Sequence, residues 1–589
     1  MNRTRTNEPL KLILALALLL VAGSRWTGCG CRPTAGTGCL PGRPLVRHPR
    51  LLVVNQVGYR LGLCKRALVV NQVRRAGKDE VALVDAATDE IVALVPPGPP
   101  ERDPQTRDRI QIVDFSWFDQ PGTYFLRQGG LRSPPFLVDS NPFQTTIDQL
   151  MRAYHYQRCG VPLADPHTGI AHPPCHLQDP RLARDDPYHR KGDRLHVVGG
   201  WHDAGDYGRY VSTTAVVVGR LSHLAEQYPG LLHDHLNIPE SGNGIPDLLD
   251  ETAVGLRWLL AMQRPDGAVY RKVAGSHWPA PGPPQNDTQP QYVYGISSHE
   301  TAKAAAATAM AARVFRTWDP DLADRAIQFA RRAWGFLERH PEVILDRHPE
   351  DDRGSGCYMT FDDPEKTRPH TDAGDRFWAA AELYLTTGEP TFRRYLEPRV
   401  GNLPYTLFGW RDPSALGMLD LYLSNQIPET WRRAIAARIM ERAGYLLENV
   451  RNSGYRIATS NFVWGSNRNT AEDGVTLALA YRITGQRDYL DAAVAQADYL
   501  LGTNHFGVSF VTGVGSNPVQ HLAHAFARAR GVRLPGFLVG GPNARAEDGV
   551  APRGRGPLSW VDNAESYATN ENAIDYNPAL VHLLAELSR

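Results

Sequence analysis

Two carboxylates lie three residues apart in the segment 199–210, whose sequence is GGWHDAGDYGRY. Asp203 and Asp206 are separated by Ala-Gly, which allows a tight turn, so both side chains can point into one small volume. Carboxylates this close repel each other when both are ionised, and a shared water, a cation or a hydrogen-bond network must hold them. A pair that holds one water acts as a general base, because one carboxylate takes the proton while the other orients the water. From the spacing alone, helix capping or calcium binding is the more frequent explanation.

A third acid lies near the C-terminus, in the segment 570–578, whose sequence is NENAIDYNP. Glu571 precedes an apolar stretch of helical character, Ala579–Leu587. It could be a first-turn acid, which the helix macrodipole favours, or a catalytic acid with a raised pKa. Taken alone, the segment favours the helix-terminal role.

Cysteine and histidine residues occur before and within the Asp203–Asp206 segment. Cys159, Cys175 and His176 precede it, and His202 lies inside it. Two cysteines and two histidines are the ligand set of a closed, tetrahedral structural zinc site. The cysteines do not form a CxxC pair, so the spacing is weak support, and a disulfide or two buried free thiols are the alternatives. Rival histidines for the fourth ligand are His172, His189 and His196.

The composition limits the classes of function. The chain has 589 residues, with 64 Lys+Arg against 63 Asp+Glu and a net charge of +1. This balance gives no electrostatic footprint for a polyanion, so we expect no nucleic-acid partner. With 42% hydrophobic and 22% charged residues, the chain has the composition of a globular protein rather than a disordered one. Its length predicts two or more domains.

The N-terminus has the pattern of an export signal. A basic segment precedes the apolar run Leu12–Ala22, which is too short for a transmembrane helix of about 20 residues. Cys29 and Cys31 each follow a glycine, as in a lipoprotein processing site, although Trp26 stands where an aliphatic residue is usual. Simple secretion is therefore favoured over a lipid anchor at either cysteine. Residues 1–50 are predicted to be signal peptide and linker, and no later stretch reaches membrane-spanning length.

The remaining chain divides into two regions of different periodicity. Short β-type runs separated by turn residues predict a small β-sandwich, and long Ala/Leu-rich stretches then predict an all-helical domain of about 450 residues. The predicted strands are Leu51–Val54, Ala67–Val70, Val81–Val84, Ile110–Phe115 and Thr123–Leu126. The predicted helices are Ile245–Met262, His299–Phe315, Leu322–His340, Asp375–Leu385, Glu429–Leu447, Ala471–Thr484, Tyr489–Leu501 and Ala573–Leu587.

Together, the two acidic motifs resemble the two ends of the active site of glycoside hydrolase family nine, the inverting cellulase family. Further motifs of that family follow in the same order through most of the chain. They are Val54–Tyr59, Glu240–Glu251, Met262–Gly267, Phe377–Leu383, Trp464–Asn467, Asp498–Asn504, Ser509–Pro518 and Leu538–Asn543. The resemblance implies an immunoglobulin-like β-sandwich over residues 51–141, followed by an all-α (α/α)6 barrel over residues 142–589 with the substrate cleft at one mouth.

The resemblance also implies roles for the three acids. Asp206 matches the general base, Asp203 matches its helper in holding the attacking water, and Glu571 matches the general acid. Inversion requires an acid and a base on opposite faces of the sugar, about 6.5–9.5 Å apart. The implied activity is hydrolysis of a β-1,4-linked glucan or its oligosaccharides, so the expected partner is a β-linked polysaccharide or oligosaccharide.

Aromatic side chains near the motifs are candidate sugar-stacking platforms. Trp464 matches a cleft position of the family, and Tyr207 and Tyr567 lie beside motifs, although barrel packing is the alternative for each.

Metal sites also follow from the resemblance. Some members with the immunoglobulin-like domain carry a Cys/Cys/His/His zinc in this region, with a histidine before the Asp-Ala-Gly-Asp turn, and His202 follows that pattern. Calcium is common in the family as well. Candidate oxygen ligands are Asp247, Asp250 and Glu251, or Asp372 and Asp375, but solvated helix faces explain them equally well, so no calcium ligand is assigned.

One segment departs from the family pattern. Without a gap, Ala523 and Ala525 replace a histidine and an arginine that contact substrate in the family, and His521 or His524 could serve instead if the loop is remodelled. This departure keeps two alternatives open. One is an exo-acting β-glucosidase or glucosaminidase, and the other is a non-catalytic carbohydrate-binding surface protein.

Overall fold

The computed structural model describes residues 49–71, 80–358 and 371–589. The predicted export signal, and with it Cys29 and Cys31, lies outside the described residues. Within those ranges, none of the helices combines the length and the hydropathy that crossing a bilayer requires.

Ten strands form a β-sandwich at the start of the described chain. Their bounds are β1 Leu51–Val53, β2 Gly58–Arg60, β3 Arg66–Val70, β4 Val81–Asp85, β5 Ile91–Val95, β6 Glu101–Arg102, β7 Arg109–Asp114, β8 Gly122–Gln128, β9 Leu131–Arg132 and β10 Phe136–Asp139. One sheet has the order β1-β3-β7-β6, and the other has the order β2-β10-β8-β4-β5, with β9 paired to β8. All pairs are antiparallel except β2 with β10.

The two sheets enclose a core of their own, with an aromatic centre. Tyr59 packs edge-on against Phe115 and Phe136, with ring centroids 5.1 and 5.2 Å away. Apolar side chains that alternate along the strands surround these rings and are buried, as period-2 strands with one inward face require. This sandwich confirms the predicted immunoglobulin-like first region.

The remaining described chain contains fourteen α-helices. Their bounds are α1 Gln144–Arg152, α2 Val211–Gln227, α3 Asp247–Ala261, α4 Ser298–Phe315, α5 Pro320–Arg339, α6 Ala373–Thr387, α7 Pro390–Leu396, α8 Ser414–Leu423, α9 Glu429–Arg451, α10 Ser466–Thr484, α11 Arg487–Leu500, α12 Ala525–Arg530, α13 Tyr567–Asn570 and α14 Asn577–Leu587.

Six of these helices form an inner ring, and six surround it. The inner helices α2, α4, α6, α8, α10 and α14 are buried on nearly all sides, while α3, α5, α7, α9, α11 and α1 pack outside them. Inner helices are buried on every face because neighbouring helices cover them on all sides, and the polar side chains they carry are buried with them. The arrangement confirms the predicted (α/α)6 barrel.

Six short strands lie at the mouth of the barrel where α2 begins. Their bounds are β11 Leu163–Ala164, β12 Ala171–His172, β13 Arg181–Leu182, β14 Arg209–Tyr210, β15 Tyr270–Ala274 and β16 Tyr292–Ile296. Four of them form a sheet of order β13-β16-β15-β14. Because β14 immediately follows the Asp203–Asp206 turn and α2 immediately follows β14, this sheet and helix fix the turn at the mouth.

Polar contacts join the sandwich to the barrel. Asn55 Nδ2 donates to Asp498 Oδ1 at 2.9 Å, and both residues are buried. The Asp108 carboxylate accepts from the Tyr455 hydroxyl at 2.8 Å and lies 2.5 Å from His505 Nδ1. Since a buried polar atom that loses its partner costs free energy, these contacts fix one orientation of the sandwich against the barrel.

Candidate active site

Contacts within the turn and from two segments distant in sequence hold the Asp203–Asp206 turn. Within the turn, the Asp203 N–H donates to the Gly208 carbonyl at 2.9 Å. The Ile574 N–H donates to the Asp203 carbonyl at 2.8 Å, and Gln157 Nε2 donates to the Ala204 carbonyl at 2.8 Å. The two carboxyl groups therefore lie on backbone that is fixed on several sides.

Two glycines of the turn are required by close approach rather than by unusual dihedral angles. A Cβ at Gly205 would lie 2.3 Å from the Ala523 carbonyl oxygen and 3.0 Å from Glu571 Oε1. A Cβ at Gly208 would lie 2.8 Å from Asp206 Oδ2. Only a residue without a side chain lets the acid of the C-terminal loop come this close to the turn.

Asp206 is a buried carboxyl with two hydrogen-bond donors on one oxygen. The Gly208 N–H and the Tyr210 hydroxyl each donate to Asp206 Oδ2 at 3.1 Å. Burial raises the pKa of Asp206 to about 6, and the two hydrogen bonds limit that increase because they stabilise the ionised form. Asp206 is therefore largely ionised at pH 7.

Asp203 is fully buried and lies in the same cluster. Its Oδ1 accepts from the Thr213 hydroxyl in the first turn of α2, and the Tyr358 hydroxyl also lies against this carboxyl group and stabilises its ionised form. Burial raises the pKa of Asp203 to about 8, and the negative charge of Asp206 adds to the increase. At pH 7 Asp203 keeps its proton beside an ionised Asp206, as two adjacent carboxyl groups must.

Glu571 reaches the turn from the C-terminal loop. Its Oε1 accepts from the Gly205 N–H at 3.2 Å, and its backbone carbonyl accepts from the Gly540 N–H at 2.9 Å. Burial, reinforced by the negative charge of Asp206, raises the pKa of Glu571 well above its usual range. Because α14 begins only at Asn577, Glu571 is not a first-turn helix acid, and the helix-terminal interpretation is wrong.

The three acids lie next to one another, but their pKa values differ. Of the three acids, Asp206 has a pKa of about 6, Asp203 has a pKa of about 8, and the pKa of Glu571 is raised well above its usual range. Carboxyl groups whose environments separate their pKa values in this way can supply a base and an acid to one reaction. Tyr210 and Thr213, which hold the two aspartates, carry no sequence motif that reveals this role.

Two exposed aromatic rings lie together near Glu571. Trp464 is 37% exposed and Tyr567 is 47% exposed, and their ring centroids are 5.7 Å apart at an interplanar angle of 35°. Their exposed faces can stack on a sugar ring. The sequence did not predict a second group of aromatic rings. In this group the ring centroid of Tyr358 lies 4.4 Å from that of Tyr210 and 5.2 Å from that of Trp410.

Tyr207 does not have the environment of a stacking platform. It is 3% exposed, its ring centroid lies 5.0 Å from that of His202, and its hydroxyl donates to the Gly282 carbonyl. An interior ring offers no face to a sugar. The barrel-packing alternative therefore describes Tyr207, whose ring lies between the Asp206 turn and the cluster of cysteines and histidines.

Cys159, Cys175, His176 and His202 form a compact cluster beside the turn. One ligand atom from each lies within 4.8 Å of the others. Cys159 Sγ is 3.8 Å from His176 Nδ1, and Cys175 Sγ is 3.7 Å from His202 Nε2. Both thiols are free, so the disulfide alternative is wrong.

The geometry of this cluster fits a tetrahedral zinc ion. Zn–S bonds of about 2.3 Å and Zn–N bonds of about 2.0–2.1 Å at tetrahedral angles give S···N separations of about 3.6 Å. His176 Nε2 lies 3.3 Å from Asp287 Oδ2, which leaves Nδ1 for a metal, as in carboxylate–histidine–zinc arrangements.

The three rival histidines lie outside the cluster. Their ring nitrogens contact other groups: His172 the Pro173 carbonyl, His189 the Asp186 carboxylate and Tyr270 hydroxyl, and His196 the Asp179 carboxylate.

The candidate calcium ligands are mostly engaged by the chain itself. Glu251 accepts from Arg158 and from Trp201 Nε1, at 2.7 and 2.6 Å, and Asp375 pairs with Lys303 at 2.7 Å. These acids are buried, so solvated helix faces do not describe them either.

The other three calcium candidates also have partners in the chain. Asp372 Oδ2 accepts from Arg376 at 2.8 Å. Asp247 accepts from the Ser241 hydroxyl at 2.8 Å, and Asp250 accepts from Asn243 at 3.1 Å. A calcium site is not defined by these contacts.

The segment that departs from the family pattern runs between the turn and the acid loop. The Ala523 N–H donates to the Asn570 carbonyl at 3.0 Å, and the Ala525 N–H donates to the Gly205 carbonyl at 2.9 Å. His524 is buried with Nε2 2.9 Å from Gln157 Oε1, and burial lowers its pKa to about 3. His521 is 62% exposed in its side chain, so it is the histidine of this segment that solvent and ligand can reach.

A helical barrel with three buried carboxyl groups at one mouth, preceded by an immunoglobulin-like domain, defines a glycoside hydrolase. The chain belongs to glycosyl hydrolase family 9, whose family model matches residues 143–584. The cellulase N-terminal ig-like domain matches residues 48–133. The protein is therefore an enzyme, and the alternative of a non-catalytic binding protein is wrong.

Known relatives share both parts of the chain. Endoglucanase D of Acetivibrio thermocellus is 32% identical over 497 residues, which cover 82% of this chain and 76% of that protein. The crystal structure of a metagenome-derived glycoside hydrolase family 9 endoglucanase has a TM-score of 0.85 and 40% identity, with 91% of this chain and 98% of that chain covered. A Zn-binding triple mutant of the family 9 endoglucanase J30 has a TM-score of 0.83 and 34% identity, with 90% and 100% covered.

Proposed function

We propose that the protein hydrolyses a β-1,4-linked glucan or its oligosaccharides with inversion at the anomeric carbon. Family membership and the similarity to an endoglucanase support the substrate class. In this proposal Asp206 is the general base, Asp203 helps to hold the attacking water, and Glu571 is the general acid.

The main support for these roles is that Asp206 and Glu571 lie in different environments. Two hydrogen bonds to Oδ2 keep the pKa of Asp206 near 6, whereas burial beside that charge raises the pKa of Glu571 well above its usual range. A base must be ionised and an acid must be protonated at the same pH, and this pair meets that condition near neutrality.

The reaction then balances without a further reactant. The water oxygen bonds to the anomeric carbon while one water proton passes to Asp206. The bond from the anomeric carbon to the glycosidic oxygen breaks, and that oxygen takes the proton of Glu571. Trp464 and Tyr567 stack on the sugar rings that flank the cleaved bond, and Tyr207 supports the turn instead of binding sugar.

Isosteric amides at the two acids test these roles. We expect Asp206→Asn and Glu571→Gln each to reduce kcat on cello-oligosaccharides by at least about 100-fold, the size of an acid–base contribution. Glu441→Gln, a change of an exposed carboxylate on the outer helix α9, is the matched control and should leave kcat unchanged. Activity of either active-site variant near that of the control would refute the assignment.

A substrate with a good leaving group separates the acid from the base. An aryl β-cellobioside with a dinitrophenolate leaving group needs no proton, so Glu571→Gln should recover most of its activity on it while Asp206→Asn should not. Proton NMR of the first product should show the α-anomer, and a β-anomer would refute inversion.

An exo-acting enzyme is the second candidate, because Ala523 and Ala525 leave only His521 accessible in the segment beside the acid. The viscosity of carboxymethylcellulose decides between them. An endo-acting enzyme lowers it early, whereas an exo-acting enzyme releases mono- or disaccharide from cello- or chito-oligosaccharides with little change in viscosity.

Further parts of the proposal concern the remaining chain. We infer that the cluster of Cys159, Cys175, His176 and His202 binds one structural zinc. The ion would crosslink the segment before the turn to the turn itself and take no part in the chemical step. Export rests on the N-terminal sequence. The boundary between the two domains is placed at 141/142, between the end of β10 at Asp139 and the start of α1 at Gln144.

A further inference from the structure

A second group of metal-ligating side chains lies far from the active site. It consists of Asp148 on α1 and of His233 and His235 in the loop after α2, and one ligand atom of each lies within 4.8 Å of the others. Asp148 and His233 keep 29% and 16% of their side-chain surface exposed, and His235 is exposed. An ion can therefore enter from solvent.

The position of this group excludes a direct part in catalysis. The turn with Asp203 precedes the start of α2 at Val211, whereas His233 follows its end at Gln227. A helix of 17 residues is about 25 Å long, so the group lies at the opposite mouth of the barrel.

The two histidine rings of this group lie against each other. The His233 and His235 rings are stacked, with centroids 3.9 Å apart and an interplanar angle of 27°. An imidazole nitrogen binds a metal through a lone pair that lies in the plane of its ring, so one ion bound by both histidines requires the exposed His235 ring to turn out of this stack.

We propose that Asp148, His233 and His235 form a surface site for a divalent first-row transition metal ion such as Ni²⁺, Cu²⁺ or Zn²⁺. Imidazole nitrogens with one carboxylate are a ligand set that these ions prefer. His233 Nε2 lies 3.1 Å from Asp148 Oδ1, and two ligands about 2.1 Å from one ion at near-right angles are separated by about 3.0 Å. Gln144 Nε2 donates to the same Asp148 oxygen at 2.8 Å and orients the carboxylate.

The bound ion would join α1 to the loop after α2. Without an ion, the contact between His233 and Asp148 is a hydrogen bond, and metal binding replaces its proton. Because binding to the folded chain alone stabilises it, the ion should raise the thermal unfolding midpoint.

Calorimetric titration of Ni²⁺ into protein without a histidine tag tests the site. The protein is first loaded with one zinc per chain, which the cluster of two cysteines and two histidines takes in preference to the surface group, and nickel and zinc contents are measured afterwards. We expect one Ni²⁺ per chain with zinc retained, and an affinity at least about ten-fold lower in His235→Ala. His235 is exposed, so this change should leave the fold intact, which circular dichroism verifies.

The matched control is His196→Ala, a change of another exposed histidine beside a carboxylate, with Nδ1 3.0 Å from Asp179 Oδ1. It should bind Ni²⁺ like the unaltered protein and show the same rise in unfolding midpoint, whereas His235→Ala should lose that rise. Nickel uptake that only replaces zinc, no uptake by the unaltered protein, or equal affinity in His235→Ala would each overturn the proposal. None of these outcomes depends on hydrolytic activity.

Discussion

Tyr210 should set the pH at which the base becomes active. Its hydroxyl accepts from the Gly356 N–H at 2.9 Å and therefore directs its own single proton to Asp206 Oδ2, 3.1 Å away. Burial raises the pKa of Tyr210 well above its usual range, so the hydroxyl stays a donor throughout the working pH range. The substitution Tyr210→Phe keeps the ring and removes this one donor.

The size of the effect follows from the lost hydrogen bond. A hydrogen bond to a charged group contributes about 1.5–3 kcal/mol, and 1.36 kcal/mol corresponds to one pKa unit. Since the bond stabilises the ionised form, its loss raises the pKa of Asp206 from about 6 by roughly one to two units. The base is active only when ionised, so the acidic limb of kcat/KM should move upward by the same amount.

The assay is the pH dependence of kcat/KM on a cello-oligosaccharide from about pH 4 to 9. At pH 6 the variant should be roughly 5- to 50-fold less active than the unaltered enzyme, as a one- to two-unit shift requires, and the two should converge on the alkaline side of the new limb. Tyr384→Phe, which removes a buried hydroxyl that donates to the Gln426 carbonyl, is the control and should keep the original limb. An acidic limb that stays in place in Tyr210→Phe would refute the reasoning.

Three further outcomes are expected. Asn55→Ala should reduce the free energy of unfolding by about 1–3 kcal/mol in denaturant titrations, because the buried Asp498 carboxyl loses its donor. An unchanged midpoint would contradict this. Trp464→Ala should weaken oligosaccharide binding by about 2 kcal/mol in calorimetry, the value for covering one face of a large aromatic ring at about 25 cal/mol per Å². Asp287→Asn should lower zinc affinity about 10- to 100-fold in chelator competition, because His176 loses the carboxylate that orients it, and equal affinity would count against the zinc site.

The sequence predicts four of the six inner helices and four of the six outer ones. Amphipathic α5, Pro320–Arg339, was expected from its periodicity within two residues. The inner helices α2 and α8 were missed, and so were the short outer helices α1 and α7. A helix covered by neighbours on all sides carries no polar face, and the run Val216–Val218 within α2 has strand propensity that only burial by α3, α4 and α14 overrides.

The site was predictable as far as its acids and ligands occur in recognisable motifs. Asp203, Asp206 and Glu571 were identified in this way, and the structure brings them together. Tyr210 and Thr213 were missed, because a hydroxyl that orients a carboxylate has no characteristic spacing. Burial, which decides the protonation of each acid, arises from segments hundreds of residues apart and cannot be estimated from local sequence.

The same packing explains why His202 and Asp203 are neighbours in the chain. Asp203 must hold its position closely, since a displacement of about 1 Å in an active site can cost about 100-fold in rate. Thr213 fixes its side chain from the α2 side, and the Ile574 N–H fixes its carbonyl from the C-terminal loop. His202, one residue earlier, lies in the cluster of cysteines and histidines, so an ion bound there would restrain the turn from its remaining side. A zinc ion held there, as proposed, would act on catalysis only through the position of the turn, so its removal should lower kcat while the pH profile keeps its limbs.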